Sequence, residues 1–316
     1  MGSVHSIEDD RNLPAIRASH LAPQSGAIPL AAPPRTLTKQ ASNVIPPWLW
    51  WNVLSLDAPA VAGAWALLFA RVSGIEVSLS TIGALVLAVW LIYVADRLFD
   101  GWRATDETAL KERHRFCQRH QTVLCAAAGL GAIAGVWLAR YGLDFDDLKA
   151  GLLLGGVVGI YLLCVHLGGE ATAHIFPKEF AVGPIFAAGT TLPVWSQPRG
   201  FSWNEMSAWV MFAALCVLNC VAIECWENPS VAGEQSAIVP WASGRIGWLA
   251  AGLAVLSLAA VFLFRISAAA SAAIALAALL TLALHLVRRR LSSDAIRVLA
   301  DAALLAPALL MLAARL

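Results

Sequence analysis

The fold class is decided by residues 77–103, which read VSLSTIGALVLAVWLIYVADRLFDGWR. The segment stays apolar for about twenty residues, which is the length that an α-helix needs to cross the hydrocarbon core of a bilayer. It shows no alternation of apolar and polar residues with a period of two, so a helix is predicted rather than a strand. Two acids, Asp96 and Asp100, close the segment, and their spacing of four places both on one face of the helix.

Similar apolar segments recur along the whole chain. Hydrophobic residues make up 59% of it, charged residues only 14%, and the mean hydropathy is +0.69, which excludes an ordinary soluble domain. The net charge of +1 argues against a nucleic-acid partner. We predict an all-α membrane protein, a bundle of nine transmembrane helices within residues 46–316. The predicted spans are 48–71, 77–96, 121–140, 148–168, 179–196, 205–224, 246–264, 267–287 and 296–314.

The orientation in the membrane is predicted from the loops. Residues 1–45 are polar, lack apolar periodicity and are expected to form a disordered cytoplasmic tail. With the N-terminus inside, most of the 22 Lys and Arg residues fall on the cytoplasmic side, as the positive-inside rule requires. This predicts an integral protein of a bacterial inner membrane, surrounded by lipid, with its C-terminus outside.

A second acidic pair, Glu224 and Glu227, closes the sixth predicted span. In a nine-span topology it lies on the same membrane face as Asp96 and Asp100. Mg²⁺ prefers oxygen ligands, often takes one or two carboxylates and bridges substrate phosphates. The two pairs therefore predict a magnesium site for a diphosphate. The alternative is structural, with Arg97 as the local counter-ion of the first pair and a proton or a basic side chain on Glu224.

Other polar residues at this face are candidates for substrate binding. Asp57, early in the first span, would orient an arginine or bind water. Lys178 begins the fifth span, while Arg113 and Arg115 belong to a basic loop, and all three could neutralise phosphate. Interfacial anchoring and contact with anionic lipid are the simpler readings of these basic residues. In the last span, Asp301 is an intramembrane acid for which we expect Arg297, one turn earlier, to be the partner.

These residues resemble the UbiA superfamily of intramembrane prenyltransferases, over about residues 48–316. Leu56–Pro59 read LDAP, similar to the LDxP sequence of that family's first helix. Asp96 and Asp100 match the last two acids of its first motif, NDxxDxxxD. Glu224 and Glu227 lie where its second acidic motif is found, and Lys178 is placed like the basic residue that often begins helix five.

The resemblance implies a fold and an activity. The fold would have nine transmembrane helices. The activity would be Mg²⁺-dependent transfer of a prenyl group from an isoprenyl diphosphate to a lipophilic or aromatic acceptor. The catalytic residues would be Asp96, Asp100 and Glu224, and the metal ligands would be these three and Glu227. The substrate-binding residues would be Lys178, Arg113, Arg115, Asn219 and Asp57.

Three alternatives remain open. Ile92 and Tyr93 replace the first two polar residues of the NDxxDxxxD motif, which motivates a non-catalytic lipid-binding or assembly protein on the same fold. Terpene cyclisation would use the same site without an acceptor. A CDP-alcohol phosphotransferase is suggested by Asp100–Arg103, DGWR, but the later acidic repeat of that family is missing.

Overall fold

The computed structural model describes residues 45–103, 112–167, 178–227 and 238–314, with side chains at 45–99, 116–164, 180–227 and 241–314. All regular elements in these ranges are helical, so the prediction of an all-α membrane protein is confirmed for the described part of the chain. The predicted disordered tail, residues 1–45, lies outside the described residues except for residue 45.

The helices are α1 Trp50–Val53, α2 Asp57–Val72, α3 Leu79–Arg103, α4 Glu112–Arg119, α5 Gln121–Tyr141, α6 Phe145–Leu167, α7 Lys178–Thr190, α8 Leu192–Trp195, α9 Trp203–Glu227, α10 Ile238–Ser243, α11 Ile246–Leu263, α12 Ala268–Val287 and α13 Ser293–Ala313.

Seven of the described helices are long and apolar enough to cross a membrane, namely α3, α5, α6, α9, α11, α12 and α13. They correspond to seven of the nine predicted spans. The first predicted span is a broken pair, because Pro47–Val53 and Asp57–Val72 meet at 77°, and it would count as an eighth. The fifth is a shorter apolar helix, Phe180–Thr190, followed by the single turn of α8.

The break in the first span has a local cause in the backbone. Ser55 adopts a φ of 59°, a left-handed conformation that ends α1. Asp57 is the first residue of α2, and its Oδ1 accepts a hydrogen bond from the Ala58 amide at 3.0 Å. A carboxylate at this position also complements the positive end of the helix dipole. Asn52 reaches across the break, and its Nδ2 donates to Asp57 Oδ2 at 2.5 Å.

Side chains of helix α3 hold the C-terminal end of α1, at the break in the first span, through hydrogen bonds. The last carbonyls of a helix have no partner within it, and here side chains of α3 supply donors. Arg97 Nη1 donates to the carbonyl oxygens of Asn52 at 2.5 Å and Val53 at 3.3 Å. Trp90 Nε1 donates to the carbonyl oxygen of Leu54 at 3.1 Å. The arginine that sequence analysis paired with Asp96 therefore has buried backbone partners and holds α1 against α3.

The main core lies between α2, α7 and the C-terminal helices. Trp65 on α2 and Phe212 on α9 are fully buried, with ring centroids 4.3 Å apart. Trp65 Nε1 also donates to the Leu304 carbonyl at 3.0 Å, which joins α2 to α13. Helices α7 and α9 approach so closely at Gly183 that an added Cβ would lie 2.5 Å from Val217 Cγ2. Small residues are required at such contacts between membrane helices.

Candidate functional site

A group of buried and partly buried polar side chains lies near the ends of α1, α3 and α9 and in the first turns of α2 and α13. We call the set Asn52, Asp57, Arg97, Glu227, Arg297 and Asp301 the polar cluster. Its members are connected by short contacts between elements far apart in sequence. Because buried polar groups are costly unless they are paired, these contacts fix the ends of five helices relative to one another.

One link of the polar cluster is an ion pair between α9 and α13. Arg297 Nη1 lies 3.3 Å from Glu227 Oε2, and only 2% of the Glu227 side chain is exposed. We predicted Arg297 as the partner of Asp301 and Glu227 as a metal ligand. In the structure the arginine makes its ion pair with Glu227. Asp301 is close enough to interact with the same guanidinium. Glu227 is thus neutralised by a side chain.

A second link joins two acids. The side chains of Asp57 and Asp301 are within hydrogen-bonding reach of each other. They border a small cavity of about 200 Å³, whose walls also include Trp48 and Trp51. Two carboxyl groups this close repel unless they share a proton or a cation. The buried Asp57 therefore has a structural role at the bend of the first span and also faces a cavity.

The predicted metal ligands lie around the polar cluster. Asp96 is exposed, whereas Arg97, the next residue of α3, is buried. Glu224 is half-buried one turn before the end of α9. Asn219 is 5% exposed, and its Oδ1 receives no hydrogen bond within the described part of the chain. An uncompensated amide oxygen is a neutral ligand that Mg²⁺ accepts.

Several predicted site residues have side chains outside the described ones. They are Asp100, Lys178, Arg113 and Arg115. Their backbone positions are at the end of α3, at the start of α7 and on α4. Helix α4 packs against α1 and α3, which brings the backbone of the basic loop beside the polar cluster. The roles of these four side chains stay predictions.

A large apolar cavity adjoins the polar cluster. It is a partly open cleft of about 490 Å³ between α3, α5, α6 and α7; we call it the chamber. Tyr93 lines the chamber and lies one helical turn before Arg97 of the polar cluster on α3. The ring of Tyr93 therefore lies at the junction of an apolar cavity and a charged site.

Comparisons of this chain with protein-family models, with curated proteins and with solved structures give no match. The resemblance to the UbiA superfamily accordingly depends on the sequence motifs.

The opposite end of the chamber is closed by polar residues that sequence analysis missed. Asp147 in the first turn of α6 is 8% exposed. Its carboxylate accepts hydrogen bonds from Thr81 Oγ1 at 2.8 Å and from Ser196 Oγ at 2.6 Å. These three residues, the outer junction, connect α3, α6 and the end of α8. The available signal was an acid immediately before the predicted span 148–168.

The described side chains include no group of three or more His, Cys, Asp or Glu residues close enough to hold a metal ion. The side chain of Asp100, one of the predicted ligands, is not among the described ones. Asp96 and Glu224 carry carboxylate oxygens and Asn219 carries an uncompensated amide oxygen, which are the types of oxygen ligand that Mg²⁺ accepts.

Proposed function

We propose that this protein transfers a prenyl group from an isoprenyl diphosphate to a lipophilic or aromatic acceptor within the membrane, with Mg²⁺ as cofactor. One observation carries the proposal, namely that the chamber meets the polar cluster at Tyr93. A prenyl diphosphate has the same construction, since a long apolar tail is joined to a highly charged head. An apolar cavity that ends in charged groups is complementary to such a molecule.

The charged head is assigned to the cluster side of Tyr93. Asp96, Asp100 and Glu224 would hold Mg²⁺, and Asn219 Oδ1 would supply a neutral ligand. Bound there, the metal would stabilise negative charge on the departing diphosphate. Lys178, Arg113 and Arg115 would bind phosphate oxygens directly. Glu227 would orient Arg297, because the two already form an ion pair at 3.3 Å.

The tail is assigned to the chamber. Its walls are almost entirely aliphatic, and their aromatic residues are Tyr93, Tyr161 and Phe186. Loss of diphosphate from an allylic carbon leaves a cation, which a tyrosine ring can stabilise through its electron-rich face. Apolar walls also exclude water, which would otherwise capture that cation.

The first test removes charge without changing shape. Asp96→Asn and Glu224→Gln should each lower Mg²⁺-dependent release of diphosphate by at least about tenfold, since each removes a ligand that stabilises the leaving group. Asp146→Asn is the matched control, because Asp146 is an exposed acid in the first turn of α6, beside the outer junction. Diphosphate release and product masses are measured on purified protein in lipid nanodiscs. Unchanged release in both variants would reject the metal assignment.

The same experiment separates the other functions on this fold. A terpene cyclase would release diphosphate and form a hydrocarbon or alcohol without added acceptor. A lipid-binding or assembly protein would bind prenyl diphosphates with no dependence on Mg²⁺ and release nothing. This second candidate is favoured by one specific contact, the Glu227–Arg297 pair, which neutralises an acid of the second motif without a metal.

A further inference from the structure

The chamber has two chemically different ends. Tyr93 on α3 and Tyr161 on α6 line it toward one end, and Tyr93 lies one helical turn from Arg97 of the polar cluster. At the other end it is lined by Thr81 and Asp147, two members of the outer junction. The apolar tail of a prenyl diphosphate that enters past Tyr93 therefore meets a buried carboxylate. Burying a hydrocarbon against Asp147 and separating it from Thr81 or Ser196 would cost its hydrogen bonds.

The distance between the two ends follows from helix geometry. Thr81 and Tyr93 are twelve residues apart on α3, which is about 18 Å along the axis. Asp147 and Tyr161 are fourteen residues apart on α6, which is about 21 Å. An extended polypeptide advances about 3.6 Å over three backbone bonds, so an isoprene unit with four main-chain bonds advances about 4.8 Å. The chamber therefore has the length of about four extended isoprene units.

The volume gives a second estimate of the chain that fits. The chamber is a partly open cleft of about 490 Å³. A water molecule takes up about 30 Å³ in the liquid, and a methylene group is similar in size, so about 16 carbon groups fit. This corresponds to about three isoprene units. Length and volume together bracket a chain of 15 to 20 carbons, roughly three to four units.

On the basis of the proposed function, we propose that the outer junction formed by Thr81, Asp147 and Ser196 is the stop that limits the prenyl chain to about three to four isoprene units. The junction is a specificity determinant because it bonds α3, α6 and the end of α8 together across the path of the chain. It takes no part in the chemistry at the other end.

Two glycines on α6 make the limit testable in steps. Gly151 and Gly155 both line the chamber, and an added Cβ at either position meets no atom within 4 Å. Gly151 lies one turn from Asp147 and Gly155 lies two turns from it, which is about 6 Å and about 12 Å along the helix. A leucine at these positions would move the end of the chamber toward Tyr93 by roughly one and two isoprene units.

The experiment measures binding of prenyl diphosphates and of the corresponding prenyl alcohols with 10, 15, 20, 25 and 35 carbons, on full-length protein in nanodiscs. The unmodified protein should bind the 15- and 20-carbon chains at least about tenfold more tightly than the 35-carbon chain. Gly151→Leu and Gly155→Leu should lower the longest accepted chain by about one and two units. Gly252→Leu is the control, since Gly252 is exposed on α11 and an added Cβ there also meets nothing.

Opening the stop should act in the opposite direction. Asp147→Ala removes the acceptor shared by Thr81 and Ser196 and should admit chains of 25 carbons or more. The two leucine variants keep the hydrogen bonds of Asp147, so they test the stop even where Asp147→Ala does not fold. Equal binding of all lengths, with no shift in the leucine variants, would overturn the stop, as expected if the chain left sideways between α5 and α6. A third outcome is that the prenyl alcohols show the length limit but the release assay of the first test detects no diphosphate. That outcome would reject the proposed function and still support the stop.

Discussion

The two halves of the bundle are packed very differently. In the membrane-length windows of α3, α5 and α6, 17%, 6% and 11% of the residues are buried, whereas in α9 and α12 the figures are 56% and 50%. The chamber lies in the loose half, and the fully buried aromatic core lies in the tight half. The polar cluster lies between them, with members on α3 and on α9 and α13. A rigid half can thus hold charged groups in place while a loose half accommodates a lipid chain.

The glycines show the same difference at single positions. On α7, Gly183 lies against Val217 of α9, where no side chain fits. On α6, an added Cβ at Gly151, Gly155 or Gly159 meets nothing. Gly183 is therefore a packing requirement, whereas these three glycines of α6 leave space beside the helix.

The largest expected effect is the loss of the central tryptophan of the tight half. Trp65→Ala leaves a cavity beside Phe69 and Phe212 and removes the bond to the Leu304 carbonyl. We expect the free energy of unfolding to fall by about 3–5 kcal/mol. Trp137 on α5, which is 61% exposed, is the matched position in the loose half. Trp137→Ala should change stability by less than about 0.5 kcal/mol. Unfolding in mixed detergent micelles measures both, and equal losses would refute the distinction between the halves.

A smaller effect is expected from adding one methyl group. Gly183→Ala forces the new Cβ against both the side chain and the backbone nitrogen of Val217, at 2.5 and 2.8 Å. Overpacking of this kind should cost about 1–3 kcal/mol. Gly155→Ala places the same group in open space and should be neutral or slightly stabilising, since alanine is the better helix former. The thermal unfolding midpoints of the two variants test this, and a stable Gly183→Ala would mean that α7 can move away from α9.

The sequence predicted the helices better than it predicted the contacts of the polar cluster. Apolar length alone locates seven spans, because in lipid the backbone must bond within each segment. The break at Ser55 was not predicted, since it depends on a positive φ and on donors from α3, which is distant in sequence. Asp147 was overlooked for a similar reason. Its partners lie 66 and 49 residues away, and no local pattern reports them.

The sequence also predicted which helix ends lie at one end of the bundle but could not assign the partners of their side chains. Helix direction places the end of α3, the end of α9 and the start of α13 on one side, which follows from counting spans. Which carboxylate meets Arg297 depends on how α9 and α13 are rotated about their axes. The structure selects Glu227, with Asp301 turned toward Asp57. Rotation of this kind is set by packing of small residues, which a single sequence does not reveal.

The smallest expected effect concerns the ion pair between Glu227 and Arg297, which joins α9 to α13 within the polar cluster. In a double-mutant cycle with Glu227→Gln and Arg297→Met, the coupling in the free energy of unfolding should be about 1–2 kcal/mol. This value lies between those of exposed and buried pairs, because a quarter of the Arg297 side chain is exposed. The exposed pair Arg199–Glu205 is the control, with a coupling below about 1 kcal/mol that declines as salt is added.

Repeating the cycle with Mg²⁺ and a prenyl diphosphate decides the role of Glu227. If Arg297 remains the partner of Glu227 in the bound state, the coupling should persist. The ion pair then still joins α9 to α13 when the chamber is occupied. If the coupling disappears only when both ligands are present, Glu227 has exchanged the arginine for the metal. Glu227 would then be a metal ligand, as the acidic motif predicts. The polar cluster would in that case rearrange when the ligands bind.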